Sequence, residues 1–348
     1  MEIAWDAGIL IMVLQTGVLP WWFRMIGERF GSSSWAMAAC LFSVGMLLAV
    51  CELPFAWRAQ FGLEQRFGFN TTTPQLWFLD RLKGLLLAAA LGLPLLTLVL
   101  TLVEWLGPAW WFWAWVCLLV FQLIMTVAAP VFILPLFNKL TPLPDGSLRA
   151  RLLALGARTG FHAGNILVMD GSKRSRHSNA FFTSFGRFRK IVLFDTLINQ
   201  LQEPELEAVL AHEIGHYKRR HIPKMLAASS IAMLAGLYVV AWLARQPWFC
   251  RGFGFEPGNT AAALLLFTLL SGLFSFWWSP LSNWWSRRFE YEADAFAADA
   301  MREPRPLIDA LRKLNEKNLS NLTPHPLYSA FYYSHPTLLE RERALAAS

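Results

Sequence analysis

Six long apolar runs dominate this sequence of 348 residues, and they constrain its fold more than any other feature. A helix of about 20 apolar residues is long enough to cross the hydrocarbon core of a bilayer. The composition agrees, because 55% of the residues are hydrophobic and only 16% are charged. We therefore predict a multi-pass membrane protein whose spans lie at residues 8–26, 34–54, 82–103, 109–137, 225–244 and 261–281.

The residues in and beside these runs exclude some classes of protein. Tryptophans such as Trp21, Trp110 and Trp277 stand at the ends of the runs, where their rings would anchor at the lipid interface. Formal charges are nearly absent inside the runs, which argues against an ion pump or transporter. The net charge of +7 does not form a basic segment interleaved with aromatic residues, so we expect no nucleic-acid partner.

The polar segments are long enough to form a separate water-exposed part. Residues 147–159 and 204–221 have helical periodicity, while 164–169 and 190–194 are short β-rich runs. We predict membrane helices with a polar loop at 57–81 in residues 1–137, two further membrane helices in 225–281, and one small α+β domain. That domain would be assembled from residues 138–224 and 282–348.

The distribution of basic residues predicts the orientation. Arg58, Arg66, Arg81 and Lys83 flank the second and third runs, and many more lie in the α+β domain. The opposite connection at residues 245–260 is poorer in basic residues. Because short cytoplasmic loops collect Lys and Arg, we expect the α+β domain on the cytoplasmic side.

One polar segment carries a metal-binding motif. Residues 203–220 read EPELEAVLAHEIGHYKRR, with apolar residues at helical spacing. His212 and His216 are four residues apart, so both project from one face of a helix and can bind the same Zn²⁺ ion. Glu213 stands beside the first ligand and can take a proton from the attacking water. The motif predicts one catalytic zinc ion per chain and hydrolysis of peptide bonds.

A catalytic zinc ion takes three protein ligands, so a third must come from outside this helix. The best candidate is Glu290 in residues 286–300, for which we predict a helix that begins where the sixth run ends. Asp294 follows one turn later and can accept a hydrogen bond from a ligand imidazole. His221 is a rival ligand, but it would project from a different face of the HEIGH helix. Ordinary solvation would also explain this acidic segment.

With these motifs the sequence resembles the type I CAAX prenyl endopeptidase family, integral-membrane zinc metalloproteases whose eukaryotic members cut prenylated proteins. The resemblance rests on HEIGH at 212–216 and RRFEYEAD at 287–294. Further similar segments, in the same order and spacing, are RFGFNTTTPQLWFLDRLKG from Arg66, PLFNKLTPLP from Pro135, HSNAFF from His177, RKIVLFDTL from Arg189 and PHPLYSAFYYSHPTLLER from Pro324.

The resemblance implies a fold of seven membrane helices around a water-filled chamber, with a zincin-like catalytic domain that holds the zinc ion. Because six runs are found here, we expect the family's first helix to be missing or to lie before Met1. The resemblance also makes Glu290 the third zinc ligand and Asp294 a supporting residue. The predicted fold class is thus a multi-span α-helical membrane protein, six to seven spans around a chamber, with a small α+β catalytic domain.

The resemblance assigns roles to residues that local patterns would not reveal. Asn179, Ala180 and Phe181 are expected in an edge strand that pairs with the substrate peptide, although a turn would also explain the asparagine. His335 is expected to contact the substrate carbonyl oxygen, with Arg341 nearby. Alternatively, His335 caps a helix that begins near the following proline.

The predicted partners are a peptide or protein substrate, with or without a lipid, and the membrane lipids. Two other functions stay open. A quality-control protease like the smaller heat-shock membrane zinc proteases would have fewer spans and would lack the RFGFNTTTPQLW and PHPLYSAFYYSHP segments. A non-catalytic metal-binding membrane protein would not need the free carboxylate of Glu213 beside its ligands.

Overall fold

The computed structural model describes residues 2–161, 165–177, 180–185 and 188–347, and most of them are helical. The α-helices in this described part are α1 (Glu2–Gln15), α2 (Val18–Phe30), α3 (Ser34–Arg58), α4 (Pro74–Leu106), α5 (Trp110–Ala128), α6 (Leu134–Phe137), α7 (Ser147–Thr159), α8 (Asp195–Gln200), α9 (Glu203–Lys218), α10 (His221–Leu243), α11 (Pro247–Gly252), α12 (Thr260–Met301), α13 (Arg305–Lys317), α14 (Pro326–Tyr332) and α15 (Leu338–Ala347).

All six predicted apolar runs lie in helices. The first run covers two of them, Ala4–Gln15 and Val18–Phe30, which are bent by 57° at a break where Gly17 has a φ of 70°. The third and fourth runs lie in one helical stretch of 64 residues, Pro74–Phe137, on either side of a 3₁₀ turn at Gly107–Ala109.

By length and composition, the described residues contain four helices that can cross a membrane, or five if the bent pair is one span. The 64-residue stretch is counted once, although it is about three times as long as one crossing requires. If that stretch is divided at its 3₁₀ turn, the count of spans in the described residues rises from five to the predicted six.

The sixth apolar run and the acidic segment after it form one helix. α12 continues for 42 residues from Thr260 to Met301, so no new helix begins at Ser286 as the sequence had led us to expect. Residues 281–301 contain no Gly or Pro that would stop it. One helix therefore holds both an apolar half and the acidic residues Glu290 and Asp294.

The chain divides into two compact units, of which the first comprises Met1–Arg66, Thr73–Gln122 and Ala228–Phe274. Its core is apolar and includes Cys40, Leu100, Ala114 and Leu266. Large apolar side chains such as those of Leu86, Trp105 and Phe274 are exposed on the surface of the chain. An exposed apolar surface of this extent is typical of contact with lipid.

The second unit comprises Phe67–Thr72, Leu123–Ala227 and Ser275–Ser348, and it contains the sheet. The strands are β1 (Leu140–Pro142), β2 (Asn165–Met169), β3 (Ala180–Phe185) and β4 (Phe188–Phe194). Their order is β1-β2-β4-β3, with β2 parallel to β4 and the other neighbours antiparallel. The two β-rich runs of the sequence correspond to β2 and β4, and β3 lies at an edge.

A second apolar core packs the sheet against helices of this unit. It includes fully buried leucines from α7 and α9, among them Leu155, Leu206 and Leu210, and Ile191 of β4. The predicted helix at 147–159 is α7, whereas α9 ends at Lys218, three residues before the predicted end. The core thus holds α9, with its HEIGH motif, beside the sheet.

Candidate metal centre

Helix α9 is fixed in its unit by buried acidic residues. Glu205 in its first turn forms an ion pair with Lys313 of α13 at 2.6 Å. Glu207 pairs with two arginines of α7, Arg151 at 2.7 Å and Arg158 at 2.9 Å. A buried carboxylate without a partner would be strongly destabilising, so these pairs favour one position of the helix.

Gly215 allows α12 to approach α9 closely. A Cβ atom at this position would lie 3.0 Å from both the Cα and the carbonyl oxygen of Ala293, and 3.2 Å from the Cβ of Phe296. Such separations are tighter than ordinary Cβ contacts, so a side chain here would require the facing backbone to shift. The glycine of HEIGH therefore brings the acidic face of α12 against the two histidines.

Three predicted ligands meet where these helices touch. Nε2 of His212 lies 3.1 Å from Nε2 of His216. Of the Glu290 carboxylate, Oε1 lies 3.3 Å from the His216 nitrogen and Oε2 lies 3.6 Å from the His212 nitrogen. Potential ligand atoms of all three residues fall within 4.8 Å of one another.

These separations fit a tetrahedral zinc ion. Bonds of about 2.0 to 2.1 Å at tetrahedral angles place neighbouring ligand atoms about 3.3 to 3.4 Å apart. The measured separations of 3.1, 3.3 and 3.6 Å lie close to that value. Two imidazoles and one carboxylate are also a ligand set of catalytic zinc sites that leave one position open.

Glu213 has the environment of a proton acceptor. It directly follows His212 and is half-buried. Burial raises the pKa of its carboxyl group above the usual range, although His212 and His216 oppose that shift. A carboxylate whose pKa is moved toward neutrality can both take up and release a proton during a reaction.

Asp294 orients the first histidine. Its Oδ1 lies 2.8 Å from Nδ1 of buried His212. Since the carboxylate only accepts, Nδ1 donates and Nε2 keeps its lone pair, which is the tautomer that binds a metal through Nε2. Arg341 in turn donates to Asp294 through Nε at 2.8 Å and Nη2 at 2.5 Å.

Arg341 therefore has a protein partner at the site. Its side chain is buried, with Nη1 3.8 Å from Glu290, and the substrate contact that the resemblance implies stays a prediction. Its contacts to Asp294 and Glu290 connect α15 to α12.

His221 lies close to the ligands but outside the ligand set. Its Nδ1 is 2.9 Å from Nδ1 of His216, which is the nitrogen of that ring that does not face Glu290. We predicted a different helix face because we assumed a continuous helix. Instead α9 ends at Lys218, and Arg220, with a φ of 56°, interrupts the helical backbone before α10 begins.

His335 lies at the open side of the site. Its side chain is 66% exposed, and its Nε2 is 3.6 Å from Glu290. The alternative that it caps a helix does not hold, because Thr337 and Glu340 cap α15. Oε2 of Glu340 accepts from the Thr337 amide at 2.7 Å, and Oγ1 of Thr337 accepts from the Glu340 amide at 3.4 Å.

Two of the three residues predicted in a substrate-pairing edge strand lie in a strand of the structure. Ala180 and Phe181 belong to β3, the edge strand, which runs beside α9. Asn179 lies outside the described residues. The position of β3 leaves a sheet edge in the strand next to α9, and β-augmentation by a peptide requires such an edge.

A segment from before α4 pairs with residues 174–177, and this pairing was not predicted. The Arg176 amide donates to the carbonyl of Phe69 at 2.9 Å, and Oγ1 of Thr72 donates to that of Arg174 at 2.9 Å. The Phe69 ring stacks on His177 at 4.1 Å. The hydroxyl-rich sequence FNTTT was the one available signal for such pairing.

Comparison with known proteins agrees with this geometry. The family described as CAAX prenyl protease N-terminal, five membrane helices, matches residues 1–139. Peptidase family M48 matches residues 142–348.

Proteins of known name and structure are similar over most of this chain. CAAX prenyl protease 1 of Saccharomyces cerevisiae is 38% identical, over 95% of this chain and 76% of that protein. The CAAX prenyl protease 1 homolog of Homo sapiens is 30% identical, over 96% and 80%. The crystal structure of S. mikatae Ste24p has a TM-score of 0.92 at 34% identity and covers 98% of this chain and 84% of its own.

Proposed function

Because this chain belongs to peptidase family M48 and is an integral-membrane metalloprotease of the CAAX prenyl protease type, we propose that it is a zinc endopeptidase that cuts prenylated CAAX-type substrates. The observation that carries the proposal is the convergence of His212, His216 and Glu290, with Glu213 beside them. When bound, a zinc ion would supply acidification of water and polarisation of the scissile carbonyl.

The residues of the chain supply the proton transfers. Glu213 accepts a proton as a water molecule attacks the carbonyl carbon. It then gives the proton to the leaving nitrogen as the C–N bond breaks. The same side chain thus acts first as a base and then as an acid. Asp294 holds the His212 ring in place during this cycle by accepting from its Nδ1, and Arg341 in turn holds Asp294.

A cavity of about 740 Å³ adjoins the ligands on the α9 side. It is lined by apolar Leu123, Ile222 and Leu226 and by polar residues that include Thr126, His216, Lys218 and Arg220. The apolar part of this lining suits an apolar ligand. This supports a substrate with a lipid attached near the cleaved bond.

We predict that Glu213→Gln removes peptidase activity, by about 10²- to 10⁴-fold, while the protein still binds one zinc ion. The assay compares a farnesylated CAAX peptide with the same peptide lacking the lipid, and metal analysis accompanies it. Glu316→Gln, an exposed change on α13, is the matched control and should behave as the wild type.

Near-normal turnover by Glu213→Gln would contradict the proposed base. Loss of zinc from that variant would make Glu213 a ligand. If the wild type cuts unfolded proteins well and shows no preference for the lipidated peptide, the quality-control alternative replaces the proposed substrate.

His335 is proposed to donate a hydrogen bond to the oxyanion that forms on the substrate carbonyl. It is exposed beside Glu290, and no helix cap depends on it. His335→Ala should lower kcat by about 10²- to 10³-fold, as removal of an oxyanion donor does, with zinc content and Tm unchanged. The matched control is His325→Ala, whose Nδ1 caps α14, and which should lose some stability but keep kcat.

An unaltered kcat in zinc-loaded His335→Ala would exclude this role. A loss of stability equal to that of His325→Ala would indicate a structural role instead.

The second unit, which contains the candidate metal centre, is proposed to lie on the cytoplasmic side, as the basic residues imply. In a background without the four native cysteines, Lys173→Cys should react with a thiol reagent added to the cytoplasmic side, and Glu256→Cys with reagent added to the opposite side. Both positions are exposed. Labelling of both from one side would contradict the proposed topology.

A further inference from the structure

Glu292, a third acidic residue of α12 near the site, contacts the metal ligand His216 through His221. Nε2 of His221 lies 3.1 Å from Oε2 of Glu292, and its Nδ1 lies 2.9 Å from Nδ1 of His216. Glu292 is two residues after Glu290, so it stands on roughly the opposite side of the helix from the metal ligand. It reaches His216 only through the intervening ring.

The hydrogen bonds assign a tautomer to each ring. A carboxylate only accepts, so Nε2 of His221 carries the proton that faces Glu292. In a neutral ring the Nδ1 of His221 then has a lone pair and accepts from Nδ1–H of His216. His216 is left with the lone pair on Nε2, the atom that faces His212 and Glu290.

The surroundings of His221 hold its ring in this position. Its side chain is 1% exposed, and it stacks on Phe289 at 4.1 Å with an interplanar angle of 11°. Phe289 and Glu292 are three residues apart on α12, so they share a face and contact the ring together. Arg288, at 3.4 Å, pairs with the other oxygen of Glu292.

We propose that His221 is a positioning residue, which with Glu292 fixes the tautomer and orientation of His216 for metal binding. The inference rests on the proposed zinc site. It parallels the support of His212 by Asp294, with one imidazole inserted between the acid and the ligand. His221 does not contact the metal ligand atoms, so it acts through His216 alone.

The test measures zinc affinity of the full-length protein by competition with a chelator, together with the Tm of the zinc-free protein. His221→Phe keeps a ring that can stack on Phe289 but has no acceptor for His216. It should weaken zinc binding by about 10- to 100-fold, as loss of a partner behind a metal ligand does. His221→Asn offers an amide oxygen to His216 and should recover part of that loss.

Glu292 provides matched controls one step further from the metal. Glu292→Gln keeps an oxygen that accepts from His221 and should bind zinc within about threefold of the wild type. Glu292→Met removes that acceptor and should lie between Glu292→Gln and His221→Phe in affinity. If His221 and Glu292 have a purely structural role, the Tm of the zinc-free protein should fall from Glu292→Gln to Glu292→Met to His221→Phe. The zinc affinities should then not follow that order.

Zinc affinity of His221→Phe within threefold of the wild type would overturn the inference, as would equal affinities for Glu292→Gln and Glu292→Met. Failure of the zinc site itself is a separate result. It would show as absence of tight zinc binding by the wild type, or as an affinity that Glu290→Ala leaves unchanged.

Discussion

The close contact between α9 and α12 at Gly215 is the constraint on which the candidate site depends. Helices usually pack with their axes 8 to 10 Å apart, at a distance set by the side chains at the contact. Here a glycine faces the backbone of Ala293, and the ligand nitrogens of α9 lie 3.3 to 3.6 Å from the carboxylate of Glu290 on α12. Metal–ligand bonds tolerate errors of only about 0.2 Å. Even a small increase in the distance between the two helices would therefore prevent the three residues from binding one metal ion.

The charges gathered at this contact explain why a divalent cation suits it. Glu213, Glu290 and Asp294 bring three carboxylates to the site, and Arg341 compensates one of them. Two negative charges then remain when all three are ionised, which one Zn²⁺ ion balances. Burying unpaired charges is costly, so the metal and the folded arrangement of the two helices should stabilise each other.

The sequence predicted the parts of the site that follow from regular helices. The spacing of His212 and His216 requires a shared face, and Asp294 follows Glu290 by one turn, so their relative positions were accessible from spacing alone. That the two helices meet could not be derived from spacing, and it was implied by the resemblance to a family. The edge strand containing Ala180 and Phe181 was likewise implied by resemblance.

The features that escaped prediction depend on tertiary packing. His221 was placed on the wrong face because a residue with positive φ, Arg220, ends the helix in a way that no glycine announces. The contact of buried Arg341 with Asp294 was not predicted, since a sequence does not reveal which acidic residue an arginine packs against. The unbroken course of α12 was hidden by Pro280 inside the helix and by the change from apolar to charged residues, although residues 281–301 contain no Gly or Pro.

X-ray absorption at the zinc edge of the purified protein tests most directly whether His212, His216 and Glu290 hold one zinc ion. We expect one zinc ion per chain, nitrogen and oxygen ligands at about 2.0 to 2.1 Å, and scattering from two imidazoles. A sulfur ligand at about 2.3 Å, which only one of the four cysteines or a methionine could supply, or scattering from three imidazoles would contradict the assignment.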